Sequence, residues 1–154
     1  MNYIDGDLIT MAKQGEFDVI AHGCNCFCNM KKGIAPKMAK AFGCDKFPLE
    51  DKQYKGDASK LGKIDYKTIS LGMYAEKQLS VVNVYSQYDY RGTKPFNAEA
   101  FRSSMKRMNT AFAGKHIGLP LIGAGLAGGD WDQISNIIDE ELKDCKVTIV
   151  RFSS

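Results

Sequence analysis

The sequence predicts an α/β protein in which helices cover both faces of a central mixed, mostly parallel sheet. Three observations predict this three-layer α/β/α sandwich. Short apolar runs typical of strands alternate with longer segments whose apolar residues recur at helical spacing. No internal repeat, linker or low-complexity segment interrupts that alternation. At 154 residues the chain has the size of one domain, so we expect a single domain over residues 1–154.

The first half of the chain is predicted to contain two short strands and two helices. The first strand lies around Ile4, and the second covers residues 17–20 and stops at Gly23. Over residues 33–42 apolar side chains recur at helical spacing, with a glycine stop directly afterwards at position 43. Residues 48–56 are expected to form a further short helix.

The second half is predicted to contain four strands and two helices. The strands are indicated by apolar and β-branched runs over residues 67–71, 79–85, 116–122 and 147–152. Asn97 is a suitable N-cap for an amphipathic helix that ends near Gly114. A glycine-rich loop precedes the last helix, which runs from about Trp131 to Leu142.

Composition argues against several classes of protein. Hydrophobic residues make up 44% of the chain and charged residues 25%, which is ordinary for a globular protein and not for a disordered one. No apolar stretch approaches the length of a membrane span, and the first residues lack the build of a signal peptide. We therefore expect a cytoplasmic protein without a membrane partner. The net charge of +3 is spread along the chain and does not favour a nucleic-acid partner.

Three of the five cysteines, Cys24, Cys26 and Cys28, alternate along one short segment. That spacing makes mutual disulfides geometrically awkward, so we expect reduced thiols. It also lacks the paired second half of a structural zinc site, so we predict no bound metal. The sequence favours packing of these thiols as small apolar side chains. The alternative is a nucleophilic Cys24 assisted by the neighbouring His22.

The sequence twice runs an apolar strand into a glycine-containing loop and then into a helix, over residues 19–35 and residues 118–131. Both loops should lie at carboxyl ends of strands, where open α/β sheets bind ligands. Backbone N–H groups at helix N-termini bind phosphate oxygens, so two such loops suit a diphosphate. The second loop has four glycines within seven positions, which a simple turn does not require. It matches neither the usual dinucleotide fingerprint nor a Walker loop.

These features resemble the macro domain family over nearly the whole chain. Residues 6–9 resemble the family's Gly-Asp-Ile-Thr opening, and residues 20–25 its strand that ends in asparagine. Residues 33–35 are similar to the end of its first glycine loop, and residues 123–131 to its second. Residues 82–92 look like the branch that includes ADP-ribose 1''-phosphatases and related phage and bacterial proteins. The resemblance implies that the partner is ADP-ribose or ADP-ribose 1''-phosphate, or an ADP-ribosylated macromolecule, and that no cofactor is needed.

The resemblance also implies roles for individual residues. Asp7 accepts a hydrogen bond from the adenine amino group, and Asn25 contacts the distal ribose. The candidates for catalysis at that ribose are Asp130, His22 and Asn25. The other expected ligand contacts lie in the matching segments and at one strand end: Gly6, Leu8, Gly33, Ile34, Ala35, Gln87, Gly123, Ala124, Gly125, Leu126, Ala127 and Gly128.

Each of the polar candidates has a structural alternative. Asp7 and Asp130 stand where helix N-caps are expected. Asn25 suits a turn in which its side chain bonds the backbone, and His22 suits a hydrogen-bonded structural role. The resemblance favours ligand contact for Asp7 and Asn25.

The first glycine loop departs from the family's pattern, because Lys31 and Lys32 stand in place of its flexible glycines. Their ammonium groups either substitute for some backbone contacts to phosphate or narrow the pocket. His22 stands where many relatives carry asparagine.

The sequence therefore favours a hydrolase that acts at the distal ribose, either an ADP-ribose 1''-phosphate phosphatase or an ADP-ribosyl hydrolase. The first alternative is a non-catalytic reader of ADP-ribose or ADP-ribosylated macromolecules. A more remote alternative is a surface for single-stranded nucleic acid around Tyr85, Tyr88, Tyr90 and Arg91, with further basic residues nearby at Lys94, Arg102, Lys106 and Arg107. Turnover, the leaving group and the oligomeric state are left open by the sequence.

Overall fold

The computed structural model describes residues 1–47, 56–72, 77–92, 95–125 and 127–153, and these form a six-stranded sheet flanked by helices. The strands are β1 (Asn2–Gly6), β2 (Val19–Asn25), β3 (Ile64–Ser70), β4 (Gln78–Gln87), β5 (His116–Leu119) and β6 (Lys146–Phe152). They lie in the order β1-β6-β5-β2-β4-β3. All neighbours pair in parallel except β3, which runs antiparallel to β4. The predicted mixed, mostly parallel sheet is confirmed.

The helices lie on both faces of this sheet. They are α1 (Leu8–Lys13), α2 (Ala35–Phe42), α3 (Ala98–Ala111) and α4 (Trp131–Glu141), with short 3-10 turns at Cys44–Lys46 and Ala58–Lys60. Helices α1 and α2 contribute to one hydrophobic cluster, and α3 and α4 to the other. The three-layer sandwich is therefore also confirmed. None of the helices in the described ranges has both the length and the apolar content that crossing a bilayer requires.

The central strand β2 is buried on both faces, as a parallel strand between two helical layers should be. Val19 and Ala21 belong to the cluster beneath α3 and α4, whereas Ile20 and Cys24 belong to the cluster beneath α1 and α2. Because side chains alternate along a strand, His22 points to the second face, where it contacts Cys44. The same alternation turns Gly23 towards the first face.

Side-chain caps begin three of the four described helices. The carboxylates of Asp7 and Asp130 each accept a backbone N–H at 3.1 Å, and Asn97 accepts one at 3.0 Å, which confirms the N-cap predicted for Asn97. Helix α2 ends at Gly43 in a left-handed conformation, as predicted. Its first residue follows Ile34, which provides no side-chain cap, so the first-turn amides of α2 stay open.

The structure differs from the sequence-based expectation at some element bounds. Helix α1 was not predicted, because six residues with only Leu8 and Ala12 buried carry too little helical periodicity. Strand β5 ends at Leu119 and not at position 122, because Pro120 has no N–H to donate to the ladder. Strand β3 begins at Ile64, before its predicted start. The helix predicted over residues 48–56 falls on positions outside the described residues, apart from the last.

Candidate functional site

Two cavities lie side by side where the carboxyl ends of the parallel strands meet. The first, of about 440 Å³, is lined by Asn25 and by the second glycine loop, and we call it the Asn25 end. The second, of about 340 Å³, is lined by Asp7 and the start of α1, and we call it the Asp7 end. The residues that line both are Gly33, Ile34, Pro120, Leu121 and Phe152. The two cavities therefore form one continuous groove.

The Asp7 end combines an acceptor with an aromatic ring. Strand β1 stops directly before Asp7, and Oδ1 of this carboxylate accepts the N–H of Thr10 at 3.1 Å. Its Oδ2 atom accepts no hydrogen bond from a described residue. Phe152, at the end of β6, is 67% exposed, and Nζ of Lys37 lies 4.8 Å from its ring centroid. An open acceptor beside an exposed ring suits a planar base that carries an amino group.

Residues with open backbone N–H groups line the groove from both loops, Gly33 and Ile34 in the part shared by the two cavities and the others at the Asn25 end. Amides of lining residues that donate to no acceptor in the described part of the chain include those of Gly33, Ile34, Ala35, Gly123, Gly125 and Ala127. The first three belong to the uncapped start of α2. Lys32 lines the same cavity and adds a positive charge. Open amides at a helix start together with a cation form a site for phosphate oxygens.

Glycine occurs at different positions of the second loop for different reasons. Gly123 has a φ of +77°, and a Cβ atom there would lie 2.6 Å from Cε1 of Phe96. A Cβ atom at Gly129 would lie 2.7 Å from the carbonyl oxygen of Gly123. These two glycines are therefore required for the loop to fold. Gly125 needs no left-handed backbone and has open space at its Cβ position, so packing does not explain it.

Asn25 combines the turn role and the cavity position that the sequence left as alternatives. Its Oδ1 accepts the N–H groups of Phe27 and Asn29, each at 3.1 Å, and its Nδ2 donates to the carbonyl of Asn29 at 2.9 Å. The side chain lines the Asn25 end. These bonds hold the amide in one orientation and use one of its two N–H donors, so the second is left for a ligand.

The end of β4 supplies the rest of the Asn25 end. Gln87 lines the cavity and donates from Nε2 to the carbonyl of Asp89 at 2.9 Å. Ser86 lines the cavity floor, and Tyr90 lines its rim with 38% of its surface exposed. Within the described lining of this end no residue carries a carboxylate or an imidazole. The end therefore offers donors and one ammonium group, which suits an anionic ligand.

His22 lies outside the lining of both cavities. Its fully buried side chain donates from Nε2 to Oδ1 of Asn83 at 2.7 Å, because the amide nitrogen of Asn83 is used by Asp65 and by the carbonyl of Cys44. Burial lowers the pKa of His22 from 6.5 to about 4, so the imidazole is neutral at neutral pH. This environment corresponds to the structural alternative for His22.

Asp130 is also absent from the lining of both cavities. Its exposed carboxylate accepts the N–H of Asp132 at 3.1 Å and caps α4. The position corresponds to the structural alternative stated for this residue.

The cysteines are free thiols in the structure, as expected. Cys24, Cys26 and Cys28 are buried, which confirms their packing role. Burial raises the pKa of Cys24 well above its ordinary value, so this thiol stays protonated although its Sγ lies 3.5 Å from Nε2 of His22. Among the residues that the structure describes, no three His, Cys, Asp or Glu side chains gather to hold a metal ion.

The structure brings most of the predicted ligand contacts together. Those that line the groove are Asp7, Leu8, Asn25, Gly33, Ile34, Ala35, Gln87, Gly123, Gly125 and Ala127. Gly6, Ala124 and Gly128 stand next to lining residues without lining either cavity themselves, and Leu126 lies outside the described residues. Sequence reasoning missed several lining residues, among them Ile9, Lys37, Ser86, Pro120, Leu121 and Phe152. Only the strand order brings the end of β6 beside the start of α1, so no local sequence signal identifies Phe152.

Several residues of the predicted nucleic-acid surface already bond to other residues of the chain. Tyr85 is buried, and its hydroxyl donates to Oδ2 of Asp65 at 2.7 Å. Arg91 pairs with Asp89 at 2.7 Å, and Arg102 pairs with Glu140 at 2.6 Å. These two arginines therefore offer less positive charge to a phosphate backbone.

Solved structures with the same fold identify its class. A macrodomain protein from Streptomyces coelicolor superposes with a TM-score of 0.69 at 23% identity, covering 97% of each chain. DarTG from Thermosipho africanus, solved in complex with ADP-ribose, superposes with a TM-score of 0.71 at 14% identity over 97% of this chain and 40% of that one. A protein of unknown function from Bacteroides thetaiotaomicron reaches a TM-score of 0.74 at 25% identity, over 97% and 96% of the two chains. The chain has the macrodomain fold.

A sequence relative places the chain more narrowly. It is 31% identical over 158 residues to the uncharacterized 17.5 kDa protein in the tk-vs intergenic region of Enterobacteria phage T4, covering 97% of this chain and 95% of that protein. The chain belongs to the same family as this phage protein. No family model matches the sequence.

Proposed function

We propose that the chain binds ADP-ribose along the groove, with adenine at the Asp7 end and the distal ribose at the Asn25 end. The observation that carries the proposal is the set of open amides contributed by two separate loops, which lie in the part of the groove shared by both ends and at the adjoining Asn25 end. ADP-ribose has this layout, because a diphosphate joins its two ribose-containing halves. A protein with the same fold from Thermosipho africanus was solved with ADP-ribose.

The adenine half of ADP-ribose is bound and recognised at the Asp7 end. Oδ2 of Asp7 accepts a hydrogen bond from the adenine amino group, while Oδ1 continues to cap α1. The exposed ring of Phe152 provides apolar contact for the base, since it lines the same cavity. The cap role and the binding role of Asp7 are therefore compatible.

The diphosphate extends from the shared part of the groove into the Asn25 end. The amides of Ile34 and Ala35 donate from the start of α2, and those of Gly123 and Gly125 donate from the second loop. Lys32 compensates for the glycines that the first loop lacks by supplying charge at the same cavity. Negative charge is thus balanced by dipoles and one ammonium group.

The reaction that suits the Asn25 end best is hydrolysis of ADP-ribose 1''-phosphate. A water oxygen bonds to phosphorus as the bond from phosphorus to O1'' breaks, and a water proton passes through a phosphate oxygen to the departing O1''. The products are ADP-ribose and inorganic phosphate. Asn25 and the loop amides orient the phosphate and stabilise its charge. Cleavage of an ADP-ribosyl bond is less well supported, because glycoside hydrolysis usually relies on carboxylates near the bond.

A non-catalytic reader is the second candidate function. It is supported by the lack of a carboxylate or imidazole in the described lining of the Asn25 end, where a general base would stand. The partner would then be an ADP-ribosylated macromolecule whose attached group leaves the cavity at the exposed rim near Tyr90.

One experiment separates these functions. The protein is titrated with ADP-ribose in a calorimeter, and phosphate release from ADP-ribose 1''-phosphate is then followed on the same preparation. Binding with release supports the phosphatase, and binding without release supports the reader. If neither compound produces heat on mixing, the ADP-ribose proposal is wrong. Asn25→Asp is the matched variant, since it keeps an acceptor for the turn but places a negative charge beside the anionic ligand.

A further inference from the structure

One buried hydroxyl in the groove has no hydrogen-bond partner. Two buried side-chain atoms in the described part of the chain lack one, Nδ1 of His22 and Oγ of Ser86. His22 belongs to the core, whereas Ser86 lines the Asn25 end. The backbone carbonyl of Ser86 is already used, because it accepts the N–H of Asn97 at 2.8 Å. The side-chain hydroxyl of Ser86 therefore lacks a hydrogen-bond partner, whereas the backbone carbonyl has one.

The hydroxyl lies close to Gly23 in the lining of the Asn25 end. A Cβ atom added at Gly23 would lie 3.3 Å from Oγ of Ser86 and 3.5 Å from Cγ1 of Ile122. Gly23, Ser86 and Ile122 all line the Asn25 end. A side chain at Gly23 would therefore press against the hydroxyl, and the glycine keeps that contact from forming in the cavity lining.

An unpartnered buried hydroxyl destabilises the folded chain, because it has lost its hydrogen bonds to water without replacement. Native proteins keep few such groups, and those they keep tend to occur at functional sites. Alanine would fill nearly the same volume without that cost. Ser86 therefore calls for an explanation that the free protein does not supply.

We propose that Ser86 is a ligand-binding residue whose hydroxyl hydrogen-bonds an oxygen at the distal end of the ligand. The inference rests on the proposed function, which places the distal ribose at this end. The oxygen belongs either to a hydroxyl of that ribose or to a phosphate on it, and both accept from a serine hydroxyl. Oγ of Ser86 has a hydrogen-bond partner only in the complex. The hydrogen bond that the free protein lacks therefore contributes to the affinity for the ligand.

Ser86→Ala tests this with three ligands: ADP-ribose, ADP-ribose 1''-phosphate and ADP, which has no distal ribose. We expect the variant to bind ADP-ribose about fivefold to tenfold more weakly than the wild type and to bind ADP unchanged. An equal loss for the 1''-phosphate compound identifies a ribose hydroxyl as the partner. A larger loss for that compound identifies the phosphate.

Ser104→Ala is the matched control, because Ser104 is equally buried but donates to the carbonyl of Lys63 at 3.1 Å. We expect it to leave the affinity for ADP-ribose unchanged and to lower the melting temperature. Ser86→Ala should melt at or above the wild-type temperature, since it removes an unsatisfied group. Gly23→Ala should also weaken ADP-ribose binding selectively, because its methyl group would lie 3.3 Å from Oγ of Ser86 and displace the hydroxyl.

Two results would overturn the inference. The first is wild-type affinity of Ser86→Ala for both ADP-ribose and ADP-ribose 1''-phosphate, and the second is an equal loss of affinity for ADP-ribose and ADP. Both leave the proposed function intact, provided that the wild type binds ADP-ribose. Failure of the wild type itself to bind ADP-ribose is a different result, and it refutes the proposed function together with the role of Ser86.

Discussion

The amide of Gly129 donates a hydrogen bond to the carbonyl of Gly123 at 2.8 Å and so closes the second glycine loop. Neither residue tolerates a side chain, because Phe96 and the loop's own backbone occupy the space. Gly125 lies between them, lines the cavity and has nothing within 4 Å of its Cβ position. Gly123 and Gly129 therefore maintain the shape of the loop, whereas Gly125 leaves the backbone accessible to a ligand.

Alanine at Gly123 should affect the stability of the fold, whereas alanine at Gly125 should affect ligand binding. Gly123→Ala combines a left-handed backbone with a clash against Phe96, and we expect it to lower the free energy of unfolding by about 2 kcal/mol or more. Gly125→Ala should melt close to the wild type but bind ADP-ribose more weakly, because its methyl group obstructs the approach of phosphate. Thermal melts and calorimetry measure both. Equal melting temperatures for the two variants would contradict this account of the loop.

The two lysines of the first loop form a matched pair. Lys32 lines the Asn25 end, and its neighbour Lys31 is exposed and lines neither cavity. We expect Lys32→Ala to weaken ADP-ribose binding roughly fivefold at low salt, with a smaller loss at high salt, because exposed charges are screened. Lys31→Ala should bind as the wild type does. The same loss of affinity in both variants would indicate a general effect of net charge and no specific contact.

Two substitutions of Asp130 test whether this residue is only a helix N-cap or also a catalytic residue. Asp130→Ala should lower the free energy of unfolding by about 1 kcal/mol, because α4 loses its N-cap. Asp130→Asn keeps an oxygen that accepts the same N–H, so its stability should stay near that of the wild type. We expect neither variant to change phosphate release from ADP-ribose 1''-phosphate. If Asp130→Asn stays stable and phosphate release stops, then Asp130 acts in catalysis and the cap is only part of its role.

His22 should make the fold sensitive to acid. Its pKa is about 4 in the folded chain against an ordinary value of 6.5, so the unfolded chain binds the proton more tightly. This contribution to stability is complete above pH 6.5 and is lost as the pH falls towards 4. The difference corresponds to about 3 kcal/mol.

Urea unfolding between pH 7 and pH 4.5 measures this loss. His22→Asn should flatten the fall in the free energy of unfolding, whatever its effect at pH 7. His116→Gln is the comparison variant: burial lowers the pKa of His116 too, but this residue is only partly buried, so we expect a smaller change in the pH profile than for His22→Asn. Identical pH profiles for the wild type and His22→Asn would show that another group controls acid sensitivity.

Sequence patterns were sufficient for the sandwich and for most of the groove. Asp7, Asn25 and the second glycine loop follow strand ends, and parallel strands bring such positions to one edge of the sheet. Periodicity could not identify α1, because it is too short. It could not identify Phe152 as a lining residue either, because the pairing of β6 with β1 and β5 is a property of the whole sheet.

Residue type alone could not distinguish a catalyst from a structural residue. His22 and Asp130 are chemically suited to proton transfer, but the direction of one side chain along β2 and one N-cap bond determine what each contacts. Ser86 had no sequence signal at all, since an unpartnered serine differs from a bonded one only in its surroundings.

The central claim is that adenine lies at the Asp7 end of one ADP-ribose groove, and its most direct test compares ADP-ribose with inosine diphosphate ribose by calorimetry. The inosine base has a carbonyl where adenine has its amino group, so we expect the wild type to bind ADP-ribose about tenfold more tightly. Asp7→Asn keeps the α1 cap but offers an amide donor, and it should lose or reverse that preference. Equal affinity of the wild type for both compounds, or no binding of ADP-ribose, would contradict the account.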